Sequence, residues 1–263
     1  MRKTIALTTV LSLLLTNPSQ SFAQIKLTAD DRVELHQNDQ KIVAIGNAEA
    51  QKGDTKINAE KMTGSYIKDA KNKMQIQSVV AEKNVKIASP EMNASGSFLD
   101  YNINKDEMIL KGSPAIIKTK DGTIEAQEGI KYFPAKKIAV SVGKVVATEN
   151  ENKIYADEMI SYFEETDGKL AIKKIEIFKN VKITTPDAVV TSDKGEYIPK
   201  ENKIKLHKNV TINQNGNILK GDYAETDLAA GISRLIADKK NKGRVSGVFI
   251  EKKKDKKEEK NAK

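Results

Sequence analysis

The chain has 263 residues, of which 38% are hydrophobic, only 5% are aromatic and none is cysteine. This length allows one or two domains with a sizeable core, and the absence of cysteine excludes a disulfide-stapled scaffold. The formal net charge of +9 comes partly from the two ends of the chain, so we interpret it as a contribution to solubility and expect no nucleic-acid partner; a weak preference for anionic partners is the alternative. Ile is the commonest apolar residue, and the β-branched residues Ile, Val and Thr favour strands over helices.

Residues 1–23 have the composition of a secretory signal peptide. Two basic residues precede a short apolar run, Ile5 to Leu15, and Ser21-Phe22-Ala23 provides a small-residue cleavage site. The apolar run is too short to cross a bilayer. We therefore expect export, with cleavage near Ala23.

One eight-residue stretch recurs and marks a structural unit. Lys83-Asn84-Val85-Lys86-Ile87-Ala88-Ser89-Pro90 returns, with most positions identical, as Lys179-Asn180-Val181-Lys182-Ile183-Thr184-Thr185-Pro186. Its branched apolar residues alternate with polar ones, which is the period of a half-buried strand. The closing proline ends the strand because it has no N–H to donate to a ladder.

Relatives of this stretch, which we call anchors, recur at intervals of roughly 30 residues, a period typical of stacked repeats. The anchors are Gly46-Asn47-Ala48, Asn84-Val85, Gly112-Ser113-Pro114, Gly143-Lys144-Val145, Asn180-Val181 and Asn209-Val210. After each anchor come an apolar residue, any residue, a small residue and a polar stretch, and most copies end in tyrosine. These steps begin at Ile57, Met92, Ile124, Ile154, Val190 and Leu219, and the tyrosines are Tyr66, Tyr101, Tyr132, Tyr162 and Tyr197.

The second three anchors repeat the spacing of the first three after roughly 96 residues, which indicates a duplication. We predict an all-β repeat domain over residues 24–250, with sub-blocks at about 41–142 and 143–250. Residues 224–238 have helical propensity, but Gly231 interrupts them, so a further strand pair is the alternative. The charged sequence 251–263 has no hydrophobic period and is predicted to be a disordered basic tail.

The side chains predicted to face inward are modest in size, mainly Ile, Val, Ala and Met. Two sheets lined in this way could splay apart and leave an apolar groove along the stack. A filled core without a groove is the alternative that the pattern leaves open.

The Gly-Asn-Val-type anchor, the I-x-A-[DE] step, the terminal tyrosine and the exported, cysteine-free chain together resemble the OstA/LptA family of periplasmic lipopolysaccharide transport proteins. The similarity covers roughly residues 25 to 250. It implies an open β-jellyroll of stacked antiparallel strands whose apolar groove holds the acyl chains of lipopolysaccharide. The chain departs from the family pattern in its greater length, in Gly112-Ser113-Pro114 at the third anchor, and in its basic tail.

The same resemblance implies a periplasmic carrier that is not an enzyme and needs no cofactor. It would contact the lipid A part of lipopolysaccharide, inner-membrane LptC-like and outer-membrane LptD-like proteins, and further copies of itself, joined head to tail. The predicted lipid-facing residues are Ile57, Ala59, Val85, Ile87, Ile124, Ile154, Val181, Ile183, Val210 and Ile212. The alternative interpretation of each is an ordinary core residue.

Catalytic and metal sites have little support in the sequence. His36 and His207 are far apart, and no cysteine accompanies them. Ser65-Tyr66-Ile67-Lys68 matches a Ser-x-x-Lys pattern but lacks companion motifs, and we expect a turn there. The competing functional classes are a parallel β-helix that acts on carbohydrate and a purely structural exported solenoid.

Overall fold

The computed structural model describes residues 25–90, 92–120, 122–166, 169–227, 232–238 and 243–250. The predicted signal peptide and the predicted basic tail lie outside these residues. The described part of the chain contains no apolar helix of membrane-spanning length. Its dominant feature is one 18-stranded antiparallel sheet that bends along its length.

Strands follow one another with short connections. The strands are β1 (Ile25–Thr28), β2 (Arg32–His36), β3 (Lys41–Lys52), β4 (Thr55–Lys68), β5 (Met74–Ala88), β6 (Met92–Asn102), β7 (Glu107–Lys111), β8 (Ala115–Thr119), β9 (Thr123–Ala126), β10 (Gly129–Phe133), β11 (Ile138–Glu149), β12 (Asn152–Thr166), β13 (Lys169–Thr184), β14 (Ala188–Ile198), β15 (Lys203–Gln214), β16 (Asn217–Asp227), β17 (Ile232–Ile236) and β18 (Ser246–Val248). A 3₁₀ turn, Pro199–Glu201, joins β14 to β15.

The bend divides the sheet into two halves that share the long strands. Half-sheet I begins at β1, crosses one half of each long strand together with β8 and β9, and ends at β18. Half-sheet II begins at β2, crosses the other halves together with β7 and β10, and ends at β17. Each long strand therefore contributes to both halves. The predicted all-β class, with stacked antiparallel strands in a jellyroll-like arrangement, is confirmed.

The anchors are the points where the strands turn from one half-sheet to the other, and we call these points corners. The sequence pattern predicts an uninterrupted strand here, whereas the ladder register shifts between Glu82 and Val85 and between Phe178 and Val181. The two intervening residues both have positive φ: Lys83 62° and Asn84 51° in β5. Two successive left-handed residues form a bulge that bends the strand, and a period-2 pattern does not reveal them.

Equivalent pairs with positive φ occur at the other regular corners. They are Gly46-Asn47, Gly143-Lys144, Lys179-Asn180 and Lys208-Asn209. Glycine adopts this conformation without strain, and asparagine tolerates it better than most residues. This conformational requirement explains the glycine and the asparagine of the anchors, whereas Lys83, Lys179 and Lys208 carry left-handed strain at the same point.

A hydrogen bond to a neighbouring acidic residue secures each corner asparagine. Asn84 Nδ2 donates to Glu60 Oε1 at 3.0 Å, and Asn180 Nδ2 donates to Asp157 Oδ2 at 2.8 Å. Glu60 and Asp157 are the acidic residues of the I-x-A-[DE] steps on the preceding strands. The two sequence motifs therefore recur together because they meet at the same corner.

The third anchor departs from this scheme. At Gly112-Ser113-Pro114 the chain leaves the sheet between β7 and β8, and the Ser113–Pro114 peptide bond is cis. The next corner is also a break, between β9 and β10, and Gly129 follows it with a φ of 127°. The middle of the stack therefore makes its corner from separate short strands.

The segment 224–238, for which the sequence leaves helix and strand open, forms strands. Residues 217–227 and 232–236 form the antiparallel pair β16–β17, so the strand alternative is correct.

The repeat tyrosines do not all point inward. Tyr66, Tyr132 and Tyr197 are buried, whereas Tyr162 donates a hydrogen bond to Glu176 on the outer face. Phe163 is buried in its place, next to a register shift in the β12–β13 ladder.

Candidate functional site: the apolar inner face

A continuous cross-strand ladder of apolar side chains crosses half-sheet I, and we call it the apolar ladder. Each member lies directly opposite the next on the neighbouring strand, as Ile57 does to Ile87 and Ile154 to Ile183. Its members in spatial order are Leu27, Ala50, Ile57, Ile87, Ala94, Ile117, Ile124, Ala147, Ile154, Ile183, Val190, Ile212, Leu219 and Gly247. At about 4.8 Å per strand the ladder extends roughly 60 Å.

Burial differs along the apolar ladder. Ile87 and Ile117 are 4% and 7% exposed, whereas Ile57, Ile154 and Ile183 are only partly buried against the main hydrophobic cluster. None of the ladder members carries a charge. A linear surface of aliphatic side chains, partly open to solvent, is chemically suited to contact with alkyl chains and unsuited to ionic or nucleophilic chemistry.

A second row lies at the corner and is more deeply buried. Val85, Val145, Val181 and Val210 are each at most 1% exposed, and Ala48 is fully buried. Their cross-strand partners are small, such as Gly96 opposite Val85 and Gly221 opposite Val210. Small partners allow the two half-sheets to approach closely where the strands bend.

Half-sheet II supplies the opposite inner surface. One of its rows runs through Met62, Ala81, Leu99, Leu110 and Ile130, which are all buried. A second row contains Tyr101, Met108 and Tyr132. Burial raises the pKa of Tyr132 to about 12 and also raises the pKa values of Tyr101 and Tyr197. These phenols therefore stay uncharged even in alkaline solution and add no charge to the inner face.

All ten residues predicted to face lipid belong to the two hydrophobic clusters of the structure or pack against them. They separate into two groups. Ile57, Ile87, Ile124, Ile154, Ile183 and Ile212 belong to the apolar ladder, and Ala59, Val85, Val181 and Val210 belong to the corner row. Lipid contact by any of them stays a prediction.

The inner face also contains residues that are not among the ten predicted ones. Five of them are in the apolar ladder: Ala50, Ile117, Ala147, Val190 and Leu219. Each lies at the same alternation as a predicted neighbour, so pairing the recurring strands in register could have found them. For the rows of half-sheet II, the only indication in the sequence is weaker: it is the tyrosine at the end of most repeat units.

The outer face carries the charged side chains. Around Glu176, Tyr162 Oη donates a hydrogen bond at 2.8 Å, and Lys174 Nζ lies 3.1 Å from its carboxylate. Burial alone would raise the pKa of Glu176, but these two hydrogen bonds outweigh it and lower the pKa below its ordinary value. Lys194 Nζ lies 3.8 Å from the same carboxylate.

The residues considered for catalysis or metal binding are scattered. His36 Nε2 lies 2.7 Å from Glu34 near one end of the stack, and His207 packs edge-on against Tyr223 near the other. Ser65 lies within β4, not in the expected turn, and its Oγ accepts a hydrogen bond from Ser78 Oγ at 3.0 Å. Within the described ranges, no three His, Asp or Glu side chains come together in a metal-binding group.

The solved structures that are similar to this chain include a periplasmic protein that matches part of it. The crystal structure of LptH, the LptA homologous periplasmic component of the conserved lipopolysaccharide transport device from Pseudomonas aeruginosa, is 15% identical to this chain. The match covers 49% of this chain and 94% of that chain, with a TM-score of 0.42. No curated protein sequence is significantly similar to the chain.

Comparison with sequence families gives a match over most of the chain. The family described as LptA/(LptD N-terminal domain) lipopolysaccharide transport protein matches twice, at residues 26–136 and 130–232. The two matches together run from β1 to the start of β17. The chain belongs to the LptA/LptD N-terminal domain family of lipopolysaccharide transport proteins.

Proposed function

We propose that this protein carries lipopolysaccharide through the periplasm by holding its acyl chains against the apolar ladder. The observation that supports this role best is the ladder itself, an unbroken row of uncharged side chains that runs from Leu27 in β1 to Leu219 in β16. Family membership supports the choice of lipopolysaccharide as the lipid.

The free energy gained when alkyl chains leave water favours such a site. Each methylene that leaves water for an apolar surface contributes about 0.8 kcal/mol, so an acyl chain of ordinary length contributes roughly 10 kcal/mol before ordering costs. Ladder positions repeat the same few aliphatic residues, so successive sites have similar energy. A lipid can then move along the row with little net change in free energy.

The proposed role includes bridging between the two membranes. In the described residues the sheet ends at β1 and β2 on one side and at β17 and β18 on the other. Unpaired strand edges can add a strand from another protein. We propose that these edges join LptC-like and LptD-like partners or further copies of the chain, head to tail.

Site-specific photo-crosslinking to lipopolysaccharide tests the carrier role. A crosslinker at Ile57, Ile154 or Ile183, all partly buried, should label lipopolysaccharide. One at Lys182, which neighbours Ile183 in sequence but is exposed on the opposite face, should not. A crosslinker at Val181 tests the corner row separately. It should label lipopolysaccharide only weakly if acyl chains occupy the apolar ladder alone.

Two results would contradict the carrier role. One is a folded protein that gives no crosslink at any ladder position, and the other is equal crosslinking at Lys182 and Ile183. An exported structural solenoid would then be the better description.

A further inference from the structure

One hydroxyl group on the inner face has no hydrogen-bond partner in the protein. Tyr66 lies near the end of β4, on the same alternation as the buried Met62 of half-sheet II, and is 2% exposed. Within the described ranges, its Oη is the one buried side-chain oxygen or nitrogen that forms no hydrogen bond. A hydroxyl group that is shut off from water without a partner disfavours folding, so packing alone does not account for it.

The duplicated half of the chain shows that the fold does not need this hydroxyl group. Strands β4 and β12 are equivalent in the duplication, and Phe163 of β12 occupies the position of Tyr66. Both rings are buried, and each follows a register shift in its ladder. The backbone N–H of each donates at 2.9 Å to the residue before a neighbouring strand, Tyr66 to Gln40 and Phe163 to Lys137. A phenyl ring therefore satisfies the fold at this position.

The inner face also has room on the same strand. Gly64 lies two residues before Tyr66 on the inward alternation, and a Cβ there would meet no heavy atom closer than 4.0 Å. At Gly195, also on the inner face of half-sheet II, a Cβ would already lie 3.3 Å from Leu206 Cδ2. In β12 the position of Gly64 is taken by the buried Ser161. The first half of the duplication therefore leaves space near a free hydroxyl group, where the second half has a side chain and no hydroxyl group on the ring.

The surroundings select the chemistry of the missing partner. The other inward residues of β4, from Ile57 through Ala59 and Met62 to Gly64, carry no charge. An ionised group would lose its hydration here without a compensating charge. A neutral carbonyl or hydroxyl oxygen on an alkyl chain accepts a hydrogen bond from a phenol, and the rest of such a chain suits the apolar surface.

We propose that Tyr66 Oη donates a hydrogen bond to a carbonyl or hydroxyl oxygen of an acyl chain that lies between the two half-sheets. This inference rests on the proposed carrier function and adds a polar contact at β4. Acyl chains that enter between the half-sheets would replace the contacts that cover the hydroxyl group. Because the apolar ladder offers similar energy at successive positions, one hydrogen bond at β4 would make the lipid pause there.

The substitution Tyr66→Phe in the full mature chain tests the proposal, because it removes one oxygen atom and keeps the ring. Without lipid, the variant should unfold at a temperature about 2 °C higher, since a buried group without a partner is gone. With lipopolysaccharide below saturation, a photo-crosslinker at Ile57 on β4 should label about fivefold less lipid than in the unsubstituted chain. A crosslinker at Ile183, far along the apolar ladder on β13, should label equally in both.

The matched control is Tyr162→Phe, which removes a phenol oxygen from the outer face. Tyr162 Oη donates to Glu176 at 2.8 Å, so this variant loses a hydrogen bond within the protein. Its unfolding temperature should fall, and labelling at Ile57 should stay unchanged. The two tyrosine variants should therefore differ in the sign of the stability change and in lipid labelling.

Three outcomes would overturn the inference. Unchanged labelling at Ile57 in Tyr66→Phe would indicate a buried water molecule as the partner of the hydroxyl group. An equal loss of labelling at Ile57 and Ile183 would indicate general damage to the inner face, and a lower unfolding temperature without lipid would indicate a partner within the protein. Absence of labelling at every ladder position in the unsubstituted chain would instead contradict the carrier role itself, and this inference with it.

Discussion

The strands of this protein make the same bend in two different ways. At Lys83-Asn84 and Lys179-Asn180 one long strand passes through the corner as a bulge with two left-handed residues. In the middle of the stack, at Gly112-Ser113-Pro114 and again between β9 and β10, the chain breaks and two short strands replace one long strand. A continuous strand transmits the bend through its backbone, whereas a broken one relies on packing between separate strands. The corners can therefore be tested by substitutions that affect one type and spare the other.

The largest effect is expected where a continuous corner packs against a broken one. Gly143 in β11 has a φ of 81°, and a Cβ there would lie 2.5 Å from Glu128 Cγ and 2.7 Å from the Glu128 backbone nitrogen. Gly143→Ala should lower the free energy of unfolding by about 3 kcal/mol, through left-handed strain together with the clash. Urea denaturation measures the loss.

Gly53→Ala is the matched control for that substitution. Gly53 also has positive φ, 59°, but a Cβ there would meet no atom within 4 Å. Its cost should be about 1 kcal/mol, from backbone strain alone. Equal costs at both positions would show that the Gly143 corner has room to relax.

A smaller loss is expected at the corner asparagines. Asn180→Ala removes both the hydrogen bond to Asp157 and a side chain that tolerates positive φ, and it should cost about 1.5 kcal/mol. Asn180→Gly removes only the hydrogen bond and should cost less. Thermal unfolding of both variants distinguishes the two contributions; a glycine variant as unstable as the alanine variant would refute the conformational part.

Lys83→Gly should stabilise the fold slightly. Lys83 has a φ of 62°, and the equivalent position is glycine at Gly46 and Gly143. Relief of left-handed strain should exceed the entropic cost of glycine by about 0.5 kcal/mol. The control Lys86→Gly, at an exposed position in the regular part of β5, should destabilise the fold instead. Urea denaturation measures both changes, and midpoints that shift in the same direction would contradict the prediction.

A last test lies away from the corners, on the outer face. The pKa of Glu176 is lowered in the folded protein, so its carboxylate stabilises the fold above the ordinary value of 4.5, and this contribution disappears as pH falls through the lowered pKa. Glu176→Gln should cost about 1 kcal/mol at neutral pH and less in acid. Urea unfolding at both pH values measures the difference, and a pH-independent cost would contradict the assignment.

Much of the fold follows from local pattern. Alternation in Val85-Lys86-Ile87 predicts which residues face inward, and the structure agrees because both apolar residues are buried. The turn at Asn215-Gly216-Asn217 is also predictable, since Asn215 and Gly216 both have positive φ. The candidate site could be predicted only in part, because Val190 and Leu219 join the apolar ladder through the register of their pairing with the strands next to them.

By itself, the sequence determined the strand class, the repeating unit and the uncharged character of the inner face, because these depend on alternation and spacing along one strand. Tertiary structure alone decided that the anchors are corners, that Val181 packs at a corner while Ile183 joins the apolar ladder, and that Phe163 replaces Tyr162 inside. The physical reason is that each of these outcomes depends on a partner strand: an acidic residue that accepts from the corner asparagine, a register shift, or a small residue opposite a valine.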